Sequence, residues 1–231
     1  MSPLLSSFLD LIFPHRCTFC DSISTEPICP KCADSVNFIS PPLCDVCGVP
    51  FKSDAVKSHT CGECMKKKRH FGWARGVLVY DDATAKAIHR FKYGHDTTYS
   101  RPLGSMMADY TLEGFDLIIP VPLHIKRLRE RGFNQSLLLA NAIGKRREIP
   151  VDPSVLKRTR WTVPQVNLTG RERKVNVKGA FEVCGDVRGK RILIIDDVYT
   201  TGATVSECSK VLKRSGAKEV CVLTLSRTAE T

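Results

Sequence analysis

Ile192-Leu-Ile-Ile-Asp-Asp-Val-Tyr-Thr-Thr-Gly-Ala-Thr204 is the stretch on which the fold turns. Its four leading apolar residues predict a central β-strand. Asp196 and Asp197 follow at the carboxyl end, and a small, hydroxyl-rich loop then opens a helix. In an open α/β sheet, ligands bind beyond the carboxyl ends of the strands. Two adjacent carboxylates can accept hydrogen bonds from the two hydroxyls of a ribose. Thr200, Thr201 and Thr204 offer hydroxyl donors, Gly202 lets backbone N–H groups come close, and the helix start adds a positive dipole end. Acids for a sugar and donors for its 5′-phosphate describe a grip for ribose 5-phosphate. The stretch has neither the Gly-x-x-x-x-Gly-Lys of a triphosphate loop nor the Gly-x-Gly-x-x-Gly of a dinucleotide loop. The bland alternative is a turn with two capping acids; it would explain the acids but not the whole run.

Outward from this stretch, apolar runs alternate with helical patterns. Strands are expected at 75–80, 116–121, 191–196 and 219–225, and helices at 82–92, 134–147 and 203–215. Short apolar strands separated by helices imply a buried parallel sheet with right-handed crossovers. Asn134 is placed to cap the helix that follows it, and Gly216 to stop the helix before it. The stretch 157–180 is polar, basic and long for a loop, a length that marks function or mobility.

The first 64 residues have a different texture. They carry eight of the 11 cysteines, as four Cys-x-x-Cys pairs: Cys17/Cys20, Cys29/Cys32, Cys44/Cys47 and Cys61/Cys64. A two-residue gap aims both thiolates of a pair at one metal, and two pairs complete a tetrahedral site. Two structural Zn²⁺ sites follow. Four thiolates leave no open position for water, so the reading is structural rather than catalytic zinc. Pairing of neighbours in sequence is the simplest topology, and the spacing leaves interleaved pairing open. A disulfide scaffold is the competing reading; the cytosol-like composition speaks against it. About 50 residues build little core alone, so metal must supply folding energy. Cys208 and Cys221 sit in apolar patterns and read as small core residues.

The whole chain has 231 residues, which suits one medium domain plus a small module, divided here as 1–70 and 71–231. Ordinary apolar and charged fractions exclude disorder as the main state. No run of about 18 apolar residues is present, so a spanning helix is excluded, and residues Met1–Pro14 read as a short amphipathic helix rather than a signal peptide. A cytoplasmic protein is expected. Residues 1–70 hold 8 Lys+Arg and 7 Asp+Glu, so nearly all of the net +11 lies in the second part. A basic domain attracts phosphates, on a small ligand or on nucleic acid.

Ile192–Thr204 resembles the phosphoribosyl pyrophosphate (PRPP) signature of the type I phosphoribosyltransferases. Over nearly its full length the chain resembles the ComF family, which joins an N-terminal double zinc ribbon to a phosphoribosyltransferase domain and is linked to natural competence. The resemblance extends through Ile119-Pro-Val-Pro-Leu-His124, Arg127-Leu-Arg-Glu-Arg-Gly-Phe-Asn-Gln135, and Gln165, Arg171, Arg173, Asn176, Val177, Gly179, Ala180 and Phe181.

The resemblance implies an α/β fold of the type I phosphoribosyltransferase kind and a site with named parts. Asp196 and Asp197 would be the catalytic pair. Val198, Tyr199, Thr200, Thr201, Gly202, Ala203 and Thr204 would line PRPP, with the Tyr199 side chain on the sugar side or in solvent. Pro122, Leu123 and His124 would hold the pyrophosphate, with Arg127 and its neighbours Lys126, Arg129 and Arg131 close behind. Within 157–181, a loop that closes over the site, Arg158, Arg160, Arg171, Arg173 and Lys174 would meet the leaving pyrophosphate. Lys92 recurs in such sequences with an open role. The implied ligands are PRPP and Mg²⁺. The implied activity is transfer of ribose 5-phosphate to an unidentified acceptor. A rival class is an accessory of DNA uptake that responds to PRPP or binds single-stranded DNA without turnover. A third is a scaffold whose ribbons bind a competence helicase or another DNA-uptake protein.

Overall fold

A computed structural model describes residues 16–51, 57–94, 96–110, 112–161 and 170–228, apart from the side chains of 170, 171, 173 and 174. The helix expected over Met1–Pro14 lies outside the described residues. The sheet at the centre is parallel throughout, in the order β1 (Ala74–Val79), β6 (Glu219–Arg227), β5 (Arg191–Tyr199), β2 (Leu117–Pro120). The continuous apolar run of β5 is what a strand covered on both faces requires.

Alternate residues of β5 face two cores, as the period of two dictates. Leu193 and Ile195 meet α3 (Asp82–Tyr93), α4 (Ser100–Ala108) and α6 (Gln135–Arg147) through Phe91, Leu103, Met107 and Leu139. Ile192 and Ile194 meet α8 (Ala203–Arg214) through Val205, Cys208 and Leu212. Cys208 and Cys221 are fully buried, as expected. A separate antiparallel pair, β3 (Leu156–Arg158) and β4 (Phe181–Val183), lies beside α8 with the helix α7 (Gly170–Val177) between them in sequence.

Within 71–231 three α-helices lie outside the expected set: α4, α7 and the short α5 (Ile125–Arg131). Pro102 and Gly104 are unusual in a helix, yet Pro102 falls in the first turn of α4, where a missing N–H costs nothing. Gly104 is there because a Cβ would collide with Ala142 of α6. Part of the stretch read as one long loop is therefore helix α7, anchored by the buried Val177 against α8.

The cysteines form two tetrads, Cys17/Cys20/Cys29/Cys32 and Cys44/Cys47/Cys61/Cys64, with all four sulfurs of each within 4.8 Å of one another. Pairing is thus between neighbours in sequence. In each tetrad the later pair opens a short helix, α1 (Pro30–Ser35) at Cys29 and α2 (Gly62–Lys66) at Cys61. Backbone N–H groups aim at the sulfurs: Cys29 N to Cys17 Sγ at 3.4 Å, Cys61 N to Cys44 Sγ at 3.3 Å and Cys47 N to Cys44 Sγ at 3.4 Å. Burial would raise the Cys44 thiol, but the amides of Cys61, Cys47 and Val46 pull it down to about 6. Four sulfurs gathered this closely, Cys44 among them held as a ready thiolate, fit structural Zn²⁺.

The ribbons share both cores with the second part of the chain. Cys44, Cys47 and Val49 belong to the core of α8; Cys17, Phe19 and Cys32 belong to that of α3, α4 and α6. Residues 37–39 run along the edge of β1, with Val79 N donating to Asn37 O and Ile39 N to Val77 O, so the exposed strand edge is covered.

Two outcomes follow from this packing. Gly104→Val should lower stability by about 1–3 kcal/mol in urea denaturation through overpacking, while Gly62→Ala, whose methyl would meet nothing within 4 Å, should be near neutral. Stripping both metals should raise hydrogen exchange in β1 and α3 as well as in the ribbons, because the cores are continuous; protection changes confined to the first 64 residues would contradict this.

Candidate functional site

β2 ends with Pro120 opposite Ile195, whereas β5 and β6 continue to Tyr199 and Arg227. Asp196 and Asp197 therefore lie inside a strand that has lost its neighbour on one side. Both are nearly buried, at 9% and 5% exposure. Buried carboxylates need donors, and the N-terminus of α6 provides them. Asn134 caps this helix, its Oδ1 accepting from Ser136 N at 3.0 Å, and so presents residues 135 and 136 to the acids. Ser136 Oγ donates to Asp196 Oδ1 at 3.0 Å, and Gln135 Nε2 donates to Asp197 Oδ1 at 3.3 Å. Lys92, in the last turn of α3, forms an ion pair with Asp197 Oδ2.

This asymmetry sets the two charges apart. Burial, then the negative charge of Asp197, pushes the Asp196 carboxyl up to about 7. Burial acts upward on Asp197 as well, but the Lys92 ammonium overrides it and holds that carboxyl below its ordinary value. One acid is reliably ionised and its neighbour is poised near neutrality. Lys92, whose role the sequence left open, is thus the partner of an acid of the signature.

Thr200, Thr201 and Thr204 are half-buried around the start of α8. Gly202 stands at the N-cap with φ +70°, the left-handed region, and offers no side chain to the first-turn N–H groups. A Cβ there would also strike Tyr199. The Tyr199 side chain itself differs from expectation. It points neither to a sugar nor to solvent but lies 2% exposed in the core beneath the loop, edge-on to Phe71 at 6.4 Å. The reason is that β5 continues through residue 199, paired with Arg227, instead of ending at residue 196.

On the other side, Val121 O accepts from Asn134 Nδ2 at 3.1 Å, which ties the 120–124 loop to α6. Pro122, Leu123 and His124 are half-buried, and His124 Nδ1 accepts from Lys126 N at 3.3 Å. The cations expected here divide. Arg127 and Lys126 flank the Trp161 ring, at 5.8 and 5.5 Å from its centroid, with His124 edge-on at 5.2 Å. Arg131 instead is buried: it donates to Gln135 Oε1 at 3.0 Å and to Tyr93 OH at 3.1 Å, and so holds the amide that faces Asp197. Arg160 donates to the carbonyls of Asn176 and Lys178 at the end of α7. Arg158 lies over Phe181, where burial lowers its pKa. Arg171 and Arg173 fall on α7, and their side chains, like Gln165, lie outside the described residues. Trp161 and Gln135 were not singled out for a role from sequence; only their position across the loops marks them.

The described residues contain no third cluster of three or more metal-ligating side chains beyond the two tetrads, and no helix long and apolar enough to cross a membrane. Residues 8–65 match the double zinc ribbon domain and residues 139–231 the phosphoribosyl transferase domain. The chain is 34% identical to DNA utilization protein YhgH of Escherichia coli strain K12, over 94% of this chain and 99% of that protein. It is 31% identical to Competence protein F of Haemophilus influenzae, over 93% and 98%, and 26% identical to Competence protein ComFC of Bacillus subtilis, over 87% and 85%. Cysteine tetrads in a ribbon arrangement, a parallel sheet carrying an acid pair at the end of β5, and relatives aligned nearly end to end agree: the chain belongs to the ComF family, in which a double zinc ribbon precedes a phosphoribosyltransferase-type domain.

Proposed function

We propose that this protein binds PRPP with Mg²⁺ at the carboxyl end of β5 and transfers its ribose 5-phosphate to an acceptor, in the service of DNA uptake or utilisation. The observation that carries this is the juxtaposition of a buried acid pair, one member held ionised by Lys92, with a helix start whose N-cap, Gly202, has no side chain. Two adjacent carboxyl groups match the vicinal hydroxyls of a ribose. The first-turn N–H groups of α8 and the hydroxyls of Thr200, Thr201 and Thr204 match its phosphate. The relatives' names, DNA utilization protein and competence protein, support the biological setting.

The donor set also bears on the metal. Two carboxyl groups without a third ligand nearby cannot cage a divalent ion, but Mg²⁺ is usually held by one or two carboxylates together with substrate phosphates. Bound so, it would neutralise charge on the departing pyrophosphate. The protein's own residues do the rest. Asp197 accepts a ribose hydroxyl and fixes the ring. Asp196, in its ionised form, steadies the positive charge that grows at C1. Pro122, Leu123 and His124 offer backbone to the pyrophosphate, and Arg127 with Lys126 adds cations. The reaction then needs positioning and charge stabilisation, not a covalent intermediate. A reading without turnover is favoured by one observation, that Lys92 engages one oxygen of Asp197 in an ion pair. Pyrophosphate release that depends on an added base or amine separates the two.

PRPP with Mg²⁺ at a hundredfold excess over Kd should stabilise the protein by about 2.7 kcal/mol. The Asp196→Asn/Asp197→Asn double variant should show no such shift in Tm; a shift that survives would place the ligand elsewhere. Asp196 alone gives a pH test. Its folded-state carboxyl is raised, so its stability contribution is present at low pH and is lost as pH climbs from its ordinary 3.8 towards about 7. Asp196→Asn removes that loss. The stability advantage of the variant over the wild type should therefore grow by about 1–2 kcal/mol between pH 6 and pH 8, read by urea denaturation at each pH.

A further inference from the structure

Arg227 is the largest fully buried side chain of the described residues, at 1% exposure, and the ribose grip does not use it. Burying a guanidinium is costly unless charge and hydrogen bonds meet it. Arg227 leaves β6 across Gly76 of β1, where a Cβ would come within 2.6 Å of its own. It then reaches the second cysteine tetrad, with Nη1 donating to Cys47 O at 2.8 Å and Nη2 lying 3.6 Å from Cys47 Sγ. Its planar face lies 4.3 Å from the centre of the Tyr199 ring. Tyr199 in turn fills the space under Gly202. A second guanidinium makes a parallel link: Arg69 donates to Thr201 O at 3.3 Å and is attracted electrostatically by Tyr199 and by the sulfurs of Cys64 and Cys47.

Cys47 and Cys64 belong to the same tetrad, and Tyr199, the last residue of β5, leads directly into the loop that holds Thr201. Two independent arginines therefore join one metal centre to the phosphate cradle. The chemistry favours the join. Four thiolates around Zn²⁺ carry a net charge of about −2, a fixed counter-charge for two guanidinium groups, and the closed tetrahedron fixes where Cys47 O and both sulfurs point. The first tetrad makes its links elsewhere. Beside Cys17 and Cys20, Arg90 of α3 donates to the carbonyls of Thr18 and Phe19, and Tyr99 meets Asp21.

We infer that the second zinc centre is part of the anion-binding loop: Arg227 and Arg69 are positioning residues, through which metal held at Cys44/Cys47/Cys61/Cys64 and phosphate ester held at Thr200–Thr204 strengthen each other. This rests on the PRPP site proposed above. Metal supplies charge and order to the arginines; the arginines hold Tyr199 as the floor of the loop and Thr201 as its wall. The coupling must run both ways, because linkage between two binding sites is reciprocal. The ligand on the loop therefore slows metal loss from the second centre and leaves the first alone.

The test uses the full chain loaded with two zinc ions and follows zinc transfer to a colorimetric chelator, with and without PRPP and Mg²⁺. Cys20→Ser leaves only the second centre intact, and Cys61→Ser only the first. In Cys20→Ser, PRPP should slow release about fivefold or more; in Cys61→Ser it should change the rate little. Arg69→Gln, at a less buried position than Arg227, should keep both metals and abolish the ligand's protection of the second, and Arg227→Lys should weaken that protection. A Tm shift with PRPP, measured in parallel, reports on the site itself. A shift with equal protection of both centres, or with none, overturns the coupling and leaves the site standing. No shift and no protection overturns the site and the coupling with it.

Discussion

Two neighbouring carboxyl groups are buried near the carboxyl end of the inner strand β5, and much of the surrounding structure follows from the cost of keeping them there. Like charges side by side in a dry setting cannot both ionise freely. The fold answers by bringing different donors to each: a lysine from α3 and an amide from α6 to Asp197, and a hydroxyl from α6 to Asp196. Those helices are far apart in sequence. They meet only because both cover the same face of one parallel sheet. A core built for stability alone would place apolar residues at 196 and 197. Local inconsistency of this kind, in a chain otherwise consistent between pattern and fold, is how functional sites are recognised.

What could be read in the sequence was what period and spacing encode. The four sheet strands and the three long helices α3, α6 and α8 emerge near their expected places because a buried parallel sheet leaves continuous apolar runs and amphipathic helices leave a 3.6-residue stripe. The tetrads were legible as metal sites, but which pair joins which depends on the path between them. Direction was not legible. Arg127 and Arg131 are one helical turn apart in a run that reads as uniformly basic, yet one faces the site mouth and the other is buried on Gln135. Tyr199 lies within the signature and still points into the core. Lys92 and Trp161 could not be placed, since their partners are 105 and 37 residues away in sequence.

The ribbons illustrate how a small metal module escapes the limit on small cores. A segment of their size buries too little apolar surface to be stable alone. Metal supplies part of the deficit. The rest is shared, because Phe19 and Val49 lie in the two cores of the sheet. Each tetrad is pressed against a different face, so the ribbons clasp the edge strand β1 from both sides, with residues 37–39 along its rim. The metal sites are therefore placed by the domain as much as the domain is braced by them.

The charge of the chain requires a similar distinction between composition and placement. A net +11 suggests a strong attraction to any polyanion. Several of the arginines behind that number are internal, however. Arg131 and Arg227 are buried, and half-buried Arg90 binds two backbone carbonyls. Cations committed to fixed partners inside a protein contribute less to the field felt at a distance than their count implies, while the acids that accompany them at the surface contribute fully. The field at the site mouth is set by fewer groups, Lys126 and Arg127 among them, arranged around Trp161. A compact cluster of that kind suits the few charges of a diphosphate held at short range better than it suits a long polyanion held along a track, and this favours the small ligand over the polymer as the principal occupant of this end of the sheet.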